Sequence, residues 1–214
     1  MIVVIQCAAS KHHDAGTMRT PDGKPVYFVA DPATAPQDDT IHARPDDLSD
    51  SGETWRQTLL AYNSADGSNP LGLCRAFELY KPPIYARLAE YVGPDRLYIL
   101  SAGWGLIPAV FLTPDYDITF SSSAERYKRR RRSDRYSDFN FLPAESTEPL
   151  IFLGGNDYLP MFCALTRTYA GPKTVYYRSA TRPELPGYEL KPYSTARRTN
   201  WHYECAEALI RGGL

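Results

Sequence analysis

Three short apolar runs, each ending in a loop of small or polar residues, constrain this chain more than any other feature. Residues 2–5 (Ile-Val-Val-Ile), 97–100 (Leu-Tyr-Ile-Leu) and 150–153 (Leu-Ile-Phe-Leu) are continuous rather than alternating. Short continuous runs of this kind mark strands buried on both faces. The loops that follow are Gln6-Cys7-Ala8-Ala9-Ser10-Lys11, Ser101-Ala102-Gly103-Trp104-Gly105-Leu106 and Gly154-Gly155-Asn156-Asp157. Val175-Tyr176-Tyr177 reads as a fourth strand. Helical patterns lie between them, over residues 54–62, 73–80, 84–91, 158–169 and 201–211. Pro82-Pro83 separates the second from the third, and Gly93-Pro94 stops the third. Strand, loop and helix in repetition predict an α/β fold with a mostly parallel, mixed sheet flanked by helices. In such sheets ligands gather beyond the carboxyl ends of the strands. The three loops are therefore expected to converge on one pocket.

A length of 214 residues suits a single domain, and a 43% hydrophobic content excludes disorder of the whole chain. Residues 12–50, rich in Pro, Asp, Thr and Gly, read as a long irregular excursion with a hairpin around Val26–Val29. Long ordered loops of this kind are often functional. There is no fixed-period repeat. No apolar run approaches the ~18–20 residues that span a bilayer. The N-terminal apolar stretch lacks a basic region and is too short for a signal peptide, so a cytoplasmic protein with no membrane partner is expected. Cys7, Cys74, Cys163 and Cys205 form no close pair, which speaks against a zinc ribbon. His12, His13, His42 and His202 show no ligand spacing, so no metal is expected.

Charge is unevenly placed. Residues 126–136 contain Arg126, Lys128, Arg129, Arg130, Arg131, Arg132 and Arg135. Counting Asp134, this stretch carries +6, so the rest of a chain of net −1 carries −7. A localised cation cluster is the footprint of a polyanion partner, and Tyr127 and Tyr136 flank it as stacking surfaces. The alternative is a solvated face balanced by acidic segments such as Asp46-Asp47. If helical, the segment places Arg129 with Arg132, or Arg126 with Arg130, on one face.

Cys7 directly follows a buried strand, with Lys11 four residues on. A nearby cation favours the nucleophilic thiolate, so the pair is a candidate catalytic centre. The plainer alternative is a small residue buried at a strand end. Asp115 and Asp117 are candidate proton carriers, indistinguishable by spacing, with an acidic turn as the alternative. Trp104, between two glycines, reads either as a stacking plate for a base or as a lid on the core. Gly155 and Asn156, after Gly154, permit close approach of a ligand to backbone. Ser10 and Ser101 complete the candidate substrate contacts.

Several short segments together resemble the YaaA-like superfamily. They are Cys7-Ala8-Ala9-Ser10-Lys11, Leu79-Tyr80-Lys81-Pro82, Ile99-Leu100-Ser101-Ala102-Gly103-Trp104-Gly105-Leu106-Ile107, Tyr116-Asp117-Ile118-Thr119-Phe120 and Gly154-Gly155-Asn156-Asp157-Tyr158. The superfamily's namesake is a peroxide-stress protein with DNA-binding ability. Within it the chain is most similar to the DpdC branch, which acts in 7-deazaguanine modification of DNA. That resemblance implies hydration of 7-cyano-7-deazaguanine in DNA to the 7-amido form, with DNA carrying a modified guanine analogue as partner. Cys7 would then form a thioimidate, with Lys11 and Asp117 or Asp115 assisting, and the scheme requires no metal or organic cofactor. Trp104 would stack on the base, Asn156 would read its edge, and the arginine run would hold phosphates. Two other readings use the same residues: a non-catalytic DNA-binding stress protein, and a nucleobase N-glycoside hydrolase or base-transfer enzyme built on Asp115 or Asp117.

Overall fold

The apolar runs become the middle of a sheet because β-branched and leucine side chains fill both of its faces. The computed structural model describes residues 1–12, 14–65, 67–178, 182–197 and 199–214. Its strands, in chain order, are β1 (Ile2–Gln6), β2 (Val26–Val29), β3 (Ile41–Ala43), β4 (Cys74–Arg75), β5 (Leu97–Ser101), β6 (Gly105–Pro108), β7 (Leu112–Thr113), β8 (Tyr116–Asp117), β9 (Phe139–Asn140), β10 (Leu150–Leu153), β11 (Lys173–Tyr177) and β12 (Glu189–Pro192). The helices are α1 (Trp55–Ser64), α2 (Ala76–Leu79), α3 (Ile84–Val92), α4 (Leu159–Leu165) and α5 (Trp201–Ile210).

Seven strands form the main sheet in the order β12-β11-β10-β1-β5-β6-β9. Every neighbouring pair is parallel except β5–β6. β1 lies between β10 and β5, and Val3, Val4 and Ile5 have no exposed surface. The fold is thus the expected α/β one, with a mostly parallel mixed sheet flanked by helices. Two small additions sit outside it: a parallel three-stranded sheet, β3-β2-β8, and an antiparallel pair, β4 with β7.

Local chemistry sets the helix ends. Thr54 caps α1 by accepting from the Gln57 N–H, while the Gln57 side chain accepts from the Thr54 N–H, a reciprocal capping box. Gly93, at φ +86°, ends α3.

Two local expectations change. Val26–Val29 is not a hairpin: β2 pairs in parallel with β3 and with β8, far along the chain. The hairpin-like turn lies just before it, where Gly23 N–H donates to Thr20 O and Arg19 bridges Pro25. Residues 73–80 are not one helix. Cys74 and Arg75 pair with β7, and the N–H groups of Ala76 and Phe77 donate to Phe111 and Ala109 carbonyls. These long-range partners leave only the single turn of α2.

Candidate functional site

β10, β1 and β5 run parallel, so the loops after them open at one edge of the sheet. From β1 the chain crosses towards β5. From β10 it crosses through α4 the other way, to β11. A crevice is left where connections diverge, between β1 and β10, and this is where open α/β sheets bind ligands. A cleft of about 310 Å³ occupies that place. Gln6, Cys7, Ala8 and Ala9 from the end of β1 form one wall, and Gly155, Asp157 and Tyr158 form the next. Thr119, Ser121 and residues 199–203 at the start of α5 close it. The β1 wall is rigid: Cys7 N–H donates to Leu100 O at 3.0 Å, and the Tyr85 hydroxyl donates to Gln6 O at 2.7 Å. Gly155 N–H donates to Gln6 Oε1 at 2.6 Å, tying the two walls together.

Cys7 is only 4% exposed, and that surface lies on the cleft. Its Sγ is 3.2 Å from the Tyr158 hydroxyl. The Tyr158 ring is held edge-on by Phe120 at 5.1 Å. Burial, then charge on Cys7, pushes the Tyr158 pKa well above 10, so this phenol keeps its proton at neutral pH. The far wall is aromatic, made by Trp201, His202 and Tyr203 in succession. His202 is 2% exposed, and its Nε2 has no hydrogen-bond partner among the described residues. Burial lowers the His202 pKa to about 4, so its ring is neutral at pH 7.

A second cleft of about 200 Å³ lies on the other side of Ala9 and contains Ser10, Lys11, Tyr27, Asp115, Tyr116 and Asp117. Lys11 Nζ sits 4.3 Å above the Tyr116 ring. Burial lowers its pKa, opposed first by charge on Cys7 and then by Asp117 and Asp115. The two carboxylates, alike in sequence, differ here. Asp117 forms a 2.8 Å ion pair with Lys128, whereas Asp115 accepts from the Tyr116 N–H. Both face Lys11 rather than the Cys7 cleft.

The expected convergence of three loops is corrected to two. Residues 101–106 are sealed. The Ser101 hydroxyl donates to Tyr116 Oη at 2.8 Å and accepts from the Trp104 N–H, and Tyr116 Oη lies 2.8 Å from Tyr80 Oη. Trp104 has no exposed surface and lies edge-on to Phe28 at 5.0 Å, so it is part of the core and not a plate for a base. Two arginines cover the loop's carbonyls: Arg56 donates to Gly103 O and Trp104 O, and Arg130 to Ala102 O. Asn156 is exposed and does not line the cleft, whereas its neighbours Gly155 and Asp157 do.

The basic run is not a continuous helix. Arg126–Lys128 is a single 3₁₀ turn, and Arg129 then bridges Thr119. Its charges divide. Arg130 is buried, bound through both terminal nitrogens to Asp138 at 2.9 and 2.6 Å, and lies 3.9 Å over the Tyr136 ring. This commits Arg130 to the interior and takes it out of the set of phosphate contacts. Lys128 is held by Asp117 and Glu125, and Arg126 lies 3.7 Å from Asp31. Arg129 is half-buried. Arg131, Arg132 and Arg135 are exposed and have no ion pair among the described residues. Arg131 and Arg132 line a third cleft, of about 210 Å³, which shares Asp157 with the Cys7 cleft.

Sequence reasoning missed Gln6, Tyr158 and the Trp201-His202-Tyr203 wall. The signal for the last was present, as three ring residues in a row opening a helix. His13 lies outside the described residues. Among the described residues no helix is long and apolar enough to cross a membrane. No family model, curated protein or solved structure matches the chain.

Proposed function

We propose that the chain is a DNA-modifying enzyme of the DpdC branch of the YaaA-like superfamily, hydrating the nitrile of 7-cyano-7-deazaguanine in DNA to the 7-amide through Cys7. One observation carries the reading: a strand-end thiol, 3.2 Å from a phenol that keeps its proton, in the wall of a cleft at the switch point of the sheet. The cleft volume lies at the lower end of the ~300–1,000 Å³ typical of small-molecule sites. Tyr158, Trp201 and Tyr203 give it the flat apolar faces that a heterocycle needs.

Sulfur attacks the nitrile carbon, and the C≡N bond becomes C=N as the S–C bond forms. The thiol proton passes to the nitrogen, with the Tyr158 hydroxyl as the nearest relay. Water then adds to the thioimidate carbon. The C–S bond breaks, sulfur regains a proton and the carboxamide remains. The balance is nitrile plus water to amide, with no oxidant, reductant or cofactor. Charge on Cys7, then on Asp117 and Asp115, opposes the lowering of the Lys11 pKa by burial, so a protonated Lys11 would favour the thiolate. The base must leave the helical stack to enter. Arg131 and Arg132, which line the third cleft adjoining the first through Asp157, and the exposed Arg135 would hold the flanking phosphates.

Incubation with an oligonucleotide carrying the cyano base, followed by nucleoside mass spectrometry, tests the reaction. A gain of one water that disappears in Cys7→Ala supports it. Full hydration by Cys7→Ala would remove Cys7 from the chemistry. A released base would indicate a glycoside hydrolase instead, and retained binding without conversion a DNA-binding protein. For the DNA contact, replacing Arg131, Arg132 and Arg135 together by Ala is expected to lower the log–log salt slope of affinity by about 2–3. An unchanged slope excludes these side chains from the interface.

A further inference from the structure

Gln6 lines the cleft with an amide whose orientation is fixed by the protein itself. A backbone N–H can only donate, so the Gln6 atom facing Gly155 N–H at 2.6 Å is the oxygen. Its Nε2 therefore points away from that bond. It has no partner among the described residues and is not among the buried unpaired atoms. The residue lines the Cys7 cleft, and the free end of its amide is an N–H donor. Both ends of its mount are fixed. The Gln6 carbonyl accepts from the Tyr85 hydroxyl, and the Gly155 carbonyl accepts from the Tyr158 N–H.

We infer that Gln6 is the specificity-determining residue of the site, donating from Nε2 to a carbonyl oxygen that projects from the ligand edge carrying the reacting group. This rests on the proposed function and deepens it. In a 7-cyano-7-deazaguanine the 6-oxo group and the 7-nitrile leave the ring system side by side on one edge. Gln6 and Cys7 both line the cleft from the end of β1. A donor at this position selects the 6-oxo base against the corresponding 6-amino base, whose N–H would meet another N–H. Rejection of this sort is strong because it leaves a donor unpaired in a confined site.

The test exploits the fixed oxygen. Gln6→Glu keeps an oxygen for Gly155 N–H and replaces the free N–H donor by an acceptor of the same shape. Binding is measured by fluorescence anisotropy in a Cys7→Ser background, with oligonucleotides carrying 7-cyano-7-deazaguanine or its 2,6-diamino counterpart, in which a 6-amino group replaces the 6-oxo group. With Gln6 present, the 6-oxo base is expected to bind at least tenfold more tightly. With Glu at position 6 the preference is expected to reverse, and with Met, which has no donor and only a weak acceptor, the two bases are expected to converge. An unchanged ratio in Gln6→Glu and Gln6→Met, or no binding of either base by the Gln6 protein, overturns the inference. Cys7-dependent hydration without the reversal would discard Gln6 and keep the reaction. Reversal without hydration would discard the reaction and keep Gln6.

Discussion

The two loops on either side of β1 look equivalent in the sequence and are opposites in the structure. Residues 101–106 and 154–158 each follow an apolar strand that pairs in parallel with β1, and each begins with small residues. The first turns straight back as β6, the one antiparallel step in the main sheet. Gly105 takes φ +101° there, and a Cβ on it would lie 2.3 Å from the Phe139 carbonyl oxygen. Arg56 and Arg130 then occupy its carbonyls. The second loop enters α4 and moves away from β1, leaving a crevice with Cys7 on its wall. The composition of a strand-end loop therefore does not make it a site. The direction in which the chain leaves does, together with what reaches back to cover it.

The sharpest way to break this contrast is to uncover the sealed loop. Arg130→Leu leaves Asp138 without its partner and frees Ala102 O, and it is expected to cost about 3–5 kcal/mol in urea unfolding. A loss below about 1 kcal/mol would mean that the seal does not depend on the arginine. The open cleft is expected to show its character in acid. His202 holds a folded pKa of about 4 against an unfolded value near 6.5, so the unfolded chain takes up the proton first. Stability from this group is complete above pH 6.5 and falls as pH drops towards 4, by about 3 kcal/mol in all. His202→Phe is expected to flatten that limb of the stability–pH curve, and an equally steep limb would show that the imidazole charges without cost. The smallest effect separates two adjacent glycines. A Cβ on Gly154 would lie 2.4 Å from the Phe152 ring, which is stacked on Phe162, so Gly154→Ala is expected to cost about 1–3 kcal/mol. At Gly155 the nearest atom is Gln6 Oε1, at 3.5 Å, so Gly155→Ala is expected to stay within about 0.5 kcal/mol. Equal thermal shifts in the two variants would contradict this description of the cleft wall.

The centre of the sheet was legible because unbroken apolar runs leave no other burial scheme, which is why β1, β5, β10 and β11 were readable. β6, β9 and β12 were not. β9 has two residues, β6 ends in Pro108, and β12 is an edge strand, Glu-Leu-Lys-Pro, whose side chains are mostly exposed. Cys7 at a cleft-lining strand end was legible from its position alone. The sealing of Trp104 was not, because Arg56 is 48 residues from the carbonyl it binds and Arg130 is 28 from its own. Charge counting had the same limit. It registered seven cations in one stretch, but not that Arg130 turns inward to Asp138 and Lys128 to Asp117.

The backbone of Cys7 still belongs to the sheet, since its N–H makes one more rung to Leu100 beyond the last residue of β1. Only one rotatable bond separates that anchored chain from the sulfur. Position 7 is thus an address as much as a chemistry. A hydroxyl, carboxylate or methyl group placed there would arrive at the same mouth with nearly the same aim, which makes it a clean position at which to exchange one reactive group for another.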